Sequence, residues 1–417
     1  MTEEIMQRIE QVRHGNVPEG YKKTAAGIIP ETWKQVRIGD VCVVNPLRSG
    51  FPEEQVTFLG MADVSEEGRL INPSIVDYST VCKGFTPFER GDILVAKITP
   101  CFENGKGADT SALPTQQGYG STEFHVLRSK DIDKRYLFLH TTSYEFRKKL
   151  ESEMTGSAGQ KRVQTDSIAS YLLGLPSAGE QHQIAEILSS QDKTIELKEK
   201  LLAEKQRQKK HLMQQLLTGR KRLPGFNGDW EKTKLKKLLK ERKTFSPKGA
   251  EYPHVTLSTE GIYAKSERYD RDHLVKDESK EYKITHKGDI CYNPANLKFG
   301  VICINNFGDA IFSPIYVTFE VAGNVSSEFL SNYLMRWDFI NAVRKYEEGT
   351  VYERMAVKPE DFLKFEMMLP PYEEQVAIAK ILAAADKEIE LLKQSIEQEK
   401  QKKKALMQLL LTGIVRM

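Results

Sequence analysis

The sequence predicts an α/β protein in which two compact domains are separated by two long antiparallel coiled-coil helices, with a pseudo-two-fold organisation. The main observation is a long repeat. Residues 175–219 and 369–413 align without a gap at an offset of 194 (369 minus 175), and 22 of the 45 positions are identical. A second, weaker repeat relates the segments that precede them. A period of this length indicates that a whole module has been duplicated, because solenoid repeats are far shorter.

The repeated stretch has the composition and end signals of a helix. It is rich in Leu, Ala, Glu, Lys and Gln, opens at a Leu-Pro and closes at a Thr-Gly in both copies. Its apolar seam recurs every seven residues and carries a lysine at the same heptad of each copy, which predicts a paired coiled coil with a polar interruption. The seam residues are Leu188, Ile195, Leu202, Lys209 and Leu216 in the first copy, and Leu382, Ile389, Ile396, Lys403 and Leu410 in the second. About 42 residues at ~1.5 Å each give a rod of ~60 Å.

The segments before the helices repeat weakly. Trp33 and Trp230 are 197 residues apart (230 minus 33), and the same offset joins Gly91-Asp-Ile to Gly288-Asp-Ile, each of which opens a predicted buried strand. A short N-terminal helix is predicted near the C-terminal one, because Met6-Gln7 echoes the ends of the repeats. The predicted boundaries are 1–20 for this helix, 21–174 and 220–368 for the globular domains, and 175–219 and 369–417 for the coiled-coil helices.

Composition excludes several classes of protein. No apolar run of about 18 residues is present, so no membrane span is predicted. Five widely separated cysteines without a CxxC favour reduced thiols in a cytoplasmic protein over a zinc site or a disulfide framework. The net charge of +3 does not by itself indicate a nucleic-acid binder. Residues 220–243 are more basic, with ten basic and three acidic residues, and 235–239 resembles an amphipathic helix.

A glycine, a hydroxyl residue and a following arginine recur before each repeat helix. They occur in residues 155–162 and again in residues 348–354. Exposed amides next to a basic side chain are suited to a phosphate contact. The same residues are also a common way to turn a corner, and the sequence leaves both interpretations open.

The sequence lacks the nucleotide-binding, methyltransferase and metal-site motifs of common enzymes. No phosphate-binding GxxxxGK[ST] loop and no dinucleotide-type glycine turn is present. An amino-methyltransferase needs an Asn/Asp-Pro-Pro-aromatic loop, and 369–372 begins with leucine while 293–296 lacks the aromatic residue. The eight histidines have no metal-site spacing. We therefore expect a protein that is not an enzyme, with no catalytic, cofactor-binding or metal-binding residues of its own.

Several motifs together resemble one family. The whole chain from about residue 20 is similar to the specificity subunit of type I restriction-modification systems. The resemblance rests on the doubled LP(P/S)xxEQxxIAxIL…LMQxLLTG helix, the IPxxW start at 29–33, the Gly-Asp-Ile motif with 98–106, and the Gly-Ser-x-Gly-Gln-Lys-Arg at 156–162.

The resemblance implies that each globular part is a target-recognition domain for double-stranded DNA, and that the helices space the two domains and dock partners. Those partners are two methyltransferase subunits and the restriction subunits. It also implies a bipartite, non-palindromic target, with S-adenosylmethionine, ATP and Mg²⁺ used on the partner subunits and no cofactor on this chain. A coiled-coil scaffold that binds protein, and a degenerate DNA methyltransferase, are the alternatives.

Direct readout of bases needs Arg, Lys, Asn, Gln, Ser or Thr at the base edges. The predicted DNA-contacting residues are Lys97, Thr99, Asn104, Lys106, Gln160, Lys161 and Arg162 in the first domain, and Asn293, Asn296, Lys298, Thr350, Tyr352 and Arg354 in the second.

Overall fold

The fold is known from a computed structural model, which describes residues 3–47, 53–157, 159–247, 251–265, 281–348 and 356–417. The chain divides into two compact units. The first unit comprises Met1–Lys198 together with Ser395–Met417, and the second unit comprises Glu199–Gln394. No helix in the described ranges is long and apolar enough to cross a membrane.

Short strands and short helices make up the first half of the chain. Its helices are α1 (Glu3–Arg13), α2 (Ile38–Val41), α3 (Tyr78–Val81), α4 (Lys134–Thr142), α5 (Tyr144–Glu151) and α6 (Thr165–Ser170). Its strands are β1 (Tyr21–Thr24), β2 (Gly27–Pro30), β3 (Lys34–Arg37), β4 (Cys42–Val44), β5 (Gln55–Leu59), β6 (Ser74–Asp77), β7 (Thr86–Glu89), β8 (Ile93–Ala96), β9 (Gly107–Asp109), β10 (Gln117–Gly120), β11 (Phe124–Ser129) and β12 (Leu172–Leu175). The long helix α7 (Ala178–Leu216) follows.

The second half also consists of short strands and short helices followed by one long helix. Its strands are β13 (Glu231–Lys234), β14 (Leu239–Glu241), β15 (Phe245–Pro247), β16 (Val255–Ser258), β17 (Gly261–Ala264), β18 (Glu281–Thr285), β19 (Ile290–Tyr292), β20 (Ile302–Ile304), β21 (Ala310–Phe312), β22 (Val317–Val321), β23 (Glu347–Glu348), β24 (Ala356–Val357) and β25 (Glu366–Leu369). Its helices are α8 (Ser327–Leu334), α9 (Trp337–Val343), α10 (Pro359–Phe362) and the long α11 (Tyr372–Leu411).

A four-stranded sheet of matching order lies in each unit. The order is β4-β11-β8-β9 in the first unit and β14-β22-β19-β20 in the second. The strands that follow the two Gly-Asp-Ile motifs, β8 and β19, occupy equivalent places in these sheets and are buried along their length. The prediction of buried strands after these motifs is confirmed, and so is the predicted mixed α/β class with two repeated domains.

Both Gly-Asp-Ile aspartates anchor an arginine. Asp92 accepts two hydrogen bonds from Arg128, each 2.8 Å, and Asp289 accepts two from Arg242 at 2.9 and 3.0 Å. The arginine comes from β11 in the first unit but from the residue after β14 in the second. The motif thus has a structural role that two different partners satisfy.

The prediction of an amphipathic helix at 235–239 is wrong. The chain makes one 3-10 turn at Leu235–Lys237 and then enters strand β14. Leu235, Leu238 and Leu239 are all buried. The amide of Leu235 donates to the carbonyl of Phe365, and β14 pairs antiparallel with β22. Pairing with distant segments therefore overrides the local helical pattern of the lysines and leucines.

The long helices end as predicted. Gly219 and Gly413, just beyond α7 and α11, have φ angles of +69° and +70°. Glycine adopts this left-handed conformation without a steric penalty, which explains why both repeats close on it.

The predicted seam residues face the protein interior along most of the repeat. Seven of them are less than 10% exposed: Leu188, Ile195, Leu216, Leu382, Ile389, Ile396 and Leu410. Leu202, Lys209 and Lys403 are half-buried. In each unit the helical residues share one hydrophobic core with the globular part. Leu188 and Leu410 belong to the core of the first unit, and Leu216 and Leu382 to that of the second.

Each unit contains two antiparallel helical segments joined by the same ion pair. In the first unit Asp192 contacts Lys403 at 2.6 Å, and in the second unit Lys209 pairs with Asp386. The repeat offset of 194 converts one pair into the other, since 192 plus 194 is 386 and 209 plus 194 is 403. Each seam lysine therefore has a carboxylate partner from the other copy of the repeat.

Replacing Asp192 or Asp386 with asparagine is expected to lower the free energy of unfolding by about 1 kcal/mol or less, because both ion pairs are partly exposed. Urea denaturation followed by circular dichroism measures the change. The exchanged pair Asp192→Lys with Lys403→Asp is the control and is expected to recover most of the loss. Failure to recover would show that the contact depends on more than charge.

A buried Glu-Gln pair opens each long helix. Glu180 and Gln181 in the first unit and Glu374 and Gln375 in the second are all less than 7% exposed. Gln181 accepts from the amide of Asp133 at 2.8 Å and donates to the carbonyl of Pro176. Gln375 makes the equivalent bonds to Ser326 and Pro370. The glutamine thus ties the helix start to the globular part.

The glutamate of the pair binds a tryptophan and an arginine. Glu180 accepts from Trp33 at 3.0 Å and from Arg416 at 2.6 and 3.0 Å. Glu374 accepts from Trp230 at 3.1 Å and from Arg222 at 2.7 Å. We call each set a glutamate lock. The predicted proximity of the N-terminal helix to the C-terminal one is confirmed, because Arg8 donates to the carbonyl of Ile414 at 2.7 Å.

Candidate nucleic-acid interface

Three segments meet beyond the end of β8 in the first unit. The amide of Lys97 donates to the carbonyl of Glu123 at 2.8 Å, and the carbonyl of Lys97 accepts from the amide of Val163 at 3.0 Å. On the next residues Ile98 bridges Arg162, and the amide of Thr99 donates to the carbonyl of Lys161. Backbone pairing therefore fixes three of the predicted DNA contacts, Lys97, Thr99 and Arg162, beside one another.

Charged side chains surround this junction. Arg162 donates to both carboxylate oxygens of Glu123, at 2.9 and 3.0 Å, and Lys97 donates to the carbonyl of Thr122 at 2.8 Å. Hydrogen bonding from Arg162 holds the pKa of Glu123 below its usual value. Burial lowers the pKa of Lys97. We call these four residues, 97, 122, 123 and 162, the strand-end cluster.

A buried histidine, His125, contacts the backbone next to the strand-end cluster. His125 contacts the carbonyl of Val163 through Nε2 at 2.9 Å and the side chain of Asn45 through Nδ1 at 3.2 Å. Burial lowers the pKa of His125 to about 4, so the ring is neutral near pH 7. Its place is structural, because it fixes the backbone next to Arg162.

The remaining predicted contacts of the first unit fall in two places. Gln160 and Lys161 are exposed next to Arg162. Lys106 instead donates to the carbonyl of Met61 at 2.9 Å. Asn104 is exposed and borders a cavity of about 600 Å³ whose other wall includes Lys403 and neighbouring residues of α11. Gln160 and Lys161 therefore lie next to the strand-end cluster, while Asn104 and Lys106 lie elsewhere, in the segment between β8 and β9.

Buried side chains of the first unit fix the backbone of the segment between β8 and β9. Phe102 is fully buried, and Arg147 donates to the carbonyls of Phe102 and Gly105 at 2.6 and 2.9 Å. Burial lowers the pKa of Arg147 to about 10. The side chain of Thr99 donates to Glu103 at 3.0 Å.

An equivalent junction lies beyond β19 in the second unit. The carbonyl of Pro294 accepts from the amide of Val357 at 3.3 Å, as that of Lys97 accepts from Val163. Asn293 is buried, and its side-chain oxygen accepts from the amides of Ala295 and Asn296. It therefore shapes a turn of the chain.

Two further predicted contacts of the second unit, Asn296 and Lys298, are half-buried. The ammonium of Lys298 lies over the ring of Phe299, which is 62% exposed, at 5.2 Å from its centroid. Thr350, Tyr352 and Arg354, also predicted as DNA contacts, lie outside the described residues.

Sequence reasoning missed Glu123, which is the partner of Arg162. A signal was present, since Gly120-Ser121-Thr122-Glu123 is a short polar connection between two buried strands, β10 and β11. It did not reveal that a carboxylate would meet Arg162, because the two residues are 39 positions apart.

Metal-binding clusters were sought as well. Among the described residues no group of three or more His, Cys, Asp or Glu side chains could hold a metal ion.

These features define a duplicated α/β protein in which each unit has polar loops at the end of its central sheet and contains a segment of both long helices. The family model described as type I restriction modification DNA specificity domain matches residues 30–205 and again 227–401. The chain therefore belongs to this family, with two copies of its domain, as the sequence resemblance predicted.

Individual relatives agree with the family. The type I restriction enzyme EcoAI specificity subunit of Escherichia coli is 35% identical over 196 residues, which are 43% of this chain and 33% of that protein. This chain therefore spans about a third of that relative. A putative type I restriction enzyme MjaX specificity subunit of Methanocaldococcus jannaschii is 25% identical and aligns over 95% of this chain and 97% of its own length.

A solved structure shares the fold. It is a chain from work on complex assembly and conformational transition of the type I restriction-modification system. The two chains are 17% identical with a TM-score of 0.60, and the match covers 93% of this chain and 99% of the other.

Proposed function

We propose that this chain is the non-catalytic, sequence-specific DNA-binding subunit of a type I restriction-modification complex, in which each unit reads one half of a bipartite target. The main support is a contrast within the chain. The repeat helices share 22 of 45 positions, whereas the equivalent strand ends carry Lys97 in one unit and Pro294 in the other. A duplicated protein that reads two different half-sites requires this combination of shared supports and divergent loops.

The helices are the proposed docking surface for two methyltransferase subunits and for the restriction subunits. They carry balanced charge, seven basic and six acidic residues in 175–219 and seven of each in 369–413. Near-neutral helices are poorly suited to gripping phosphates, whose binding requires excess positive charge. Methyl transfer from S-adenosylmethionine, and ATP- and Mg²⁺-dependent cleavage, are assigned to those partners, and a cytoplasmic location belongs to the same proposal.

The proposed target-recognition domains are 21–174 and 220–368, between the N-terminal segment 1–20 and the helical segments 175–219 and 369–417. The proposed contacts in the first domain are Lys97, Thr99, Asn104, Lys106, Gln160, Lys161 and Arg162. Those in the second domain are Asn293, Asn296, Lys298, Thr350, Tyr352 and Arg354. Lys97 and Arg162 have the strongest support, because both lie at the strand-end cluster with charged side chains.

Exchanging residues 21–174 for the same segment of a family member with a different target is expected to change one half of the methylated sequence and leave the other half unchanged. The measurement is a map of methylated adenines in cells that carry the exchanged chain and its partners. The reciprocal exchange of 220–368 is the matched control and should alter the other half. A change in both halves, or in neither, while the complex still assembles would contradict the assignment of one half-site to each domain.

A further inference from the structure

Glu123 holds Arg162 by one particular edge of its guanidinium. Nε donates to Oε2 at 3.0 Å, and Nη2 donates to Oε1 at 2.9 Å. The side chains of Arg162 and Glu123 are 42% and 28% exposed, so the pair is open to solvent. Nη1 contacts the carbonyl of Gln160 at 3.5 Å, the outer limit of a hydrogen bond, so one N–H of Nη1 and one of Nη2 are left without a hydrogen bond in the described part of the structure.

Both partners are fixed through the backbone as well. Arg162 pairs with Thr155 on one side and with Ile98 on the other. The amide of Glu123 donates to the hydroxyl of Ser121 at 3.2 Å, and its carbonyl accepts from Lys97 at 2.8 Å. The orientation of the guanidinium is therefore set before any ligand arrives.

We propose that Glu123 is a positioning residue that aims the free edge of Arg162 at a guanine in the first half-site. The proposal rests on the proposed function, because it assumes that the first unit reads DNA. The remaining Nη1–Nη2 edge presents two parallel donors, the pattern that binds O6 and N7 of guanine together. Pre-organisation of those donors reduces the entropy lost on binding.

Two simpler roles for Glu123 agree less well with these observations. An exposed ion pair contributes little to stability, so the pair is a weak support for the fold. A carboxylate beside a DNA-binding surface also repels phosphates and lowers nonspecific affinity. The presence of Glu123 is explained if it increases base specificity at the cost of nonspecific DNA affinity.

At the register position of Glu123, the described part of the second unit carries no carboxylate. Leu127 pairs with Ile93 of the first Gly-Asp-Ile motif, and Phe319 pairs with Ile290 of the second. Four residues before Leu127 stands Glu123, and four residues before Phe319 stands Ile315, which is 63% exposed. An apolar side chain cannot orient an arginine, so the effect of Glu123 should concern a single position in one half-site.

The test uses the full chain in complex with its methyltransferase partner and a pool of duplexes with a randomised stretch. Glu123→Ala is compared with Glu103→Ala, which removes a carboxylate from the nearby loop where Glu103 binds Thr99. Each variant loses one negative charge, so any general rise in DNA affinity should occur in both. We expect Glu123→Ala alone to reduce guanine preference at one position about tenfold.

Arg162→Lys supplies a second variant, because lysine keeps the charge but has no bidentate edge. It should lose the same preference, and the double variant Glu123→Ala with Arg162→Lys should lose no more. Unchanged base preference in Glu123→Ala, or an effect spread over both half-sites, would overturn the proposal. If the unaltered chain, in complex with its methyltransferase partner, selected no sequence from the pool of duplexes, the proposed function itself would be overturned.

Discussion

Replacing Trp33 with alanine is expected to lower the free energy of unfolding of the first unit by about 4 kcal/mol. The side chain is 1% exposed and lies in the largest core of that unit. Its indole N–H donates to Glu180, and a Cβ atom at Gly174 would stand 2.8 Å from its ring. Because the tryptophan is so closely packed, its replacement by alanine creates a cavity that the neighbouring side chains cannot fill. Urea denaturation followed by far-ultraviolet circular dichroism measures the loss.

Trp230→Ala is the matched control for this experiment. Trp230 occupies the equivalent lock but is half-buried, so its loss should cost less because less apolar surface is removed from water. Trp33→Phe should cost less than Trp33→Ala, since phenylalanine keeps most of the packing and loses the hydrogen bond. Equal losses in the two alanine variants would contradict the importance assigned to burial.

Replacing Arg222 with alanine is expected to destabilise the second unit, because it leaves a buried carboxylate without its partner. The side chain of Glu374 is fully buried, and Arg222 supplies two of its hydrogen bonds at 2.7 Å. Without the arginine a buried carboxylate keeps the bond from Trp230 but has no neutralising charge. Solvent screens part of the lost interaction, because Arg222 is one-third exposed.

Two companion variants separate charge from packing in the second lock. Arg222→Ala with Glu374→Gln removes both charges and keeps an acceptor for Trp230, so it should regain much of the lost stability. Arg220→Ala removes an exposed arginine close by in the chain and should have little effect. Thermal unfolding of the four proteins gives the comparison. A double variant as unstable as Arg222→Ala would rule out the unpaired charge as the cause.

The sequence predicted those parts of the fold that depend on local signals. Seven-residue spacing, the opening proline and the closing glycine are all local, and they located both long helices to within a few residues of α7 and α11. Internal repetition then carried information that a single copy lacks. It identified Lys209 and Lys403 as equivalent before their carboxylate partners were known.

Contacts between distant segments could not be predicted in the same way. The strand-end cluster joins Lys97, Glu123 and Arg162, and no periodicity relates three such separated positions. Asn293 shows a different limit. Its oxygen accepts from the amides that follow it, a turn contact that asparagine often makes, so an Asn-Pro-Ala-Asn sequence could have been interpreted as a turn.

The two ion pairs between the repeats have a consequence for how the gene can change. Asp192 is paired with a lysine of the other copy, and Asp386 likewise. A charge reversal at one of these positions therefore brings two like charges together, and a reversal at its partner in the other copy restores the pair. The partner of Glu123 is Arg162, which lies in the same half of the chain.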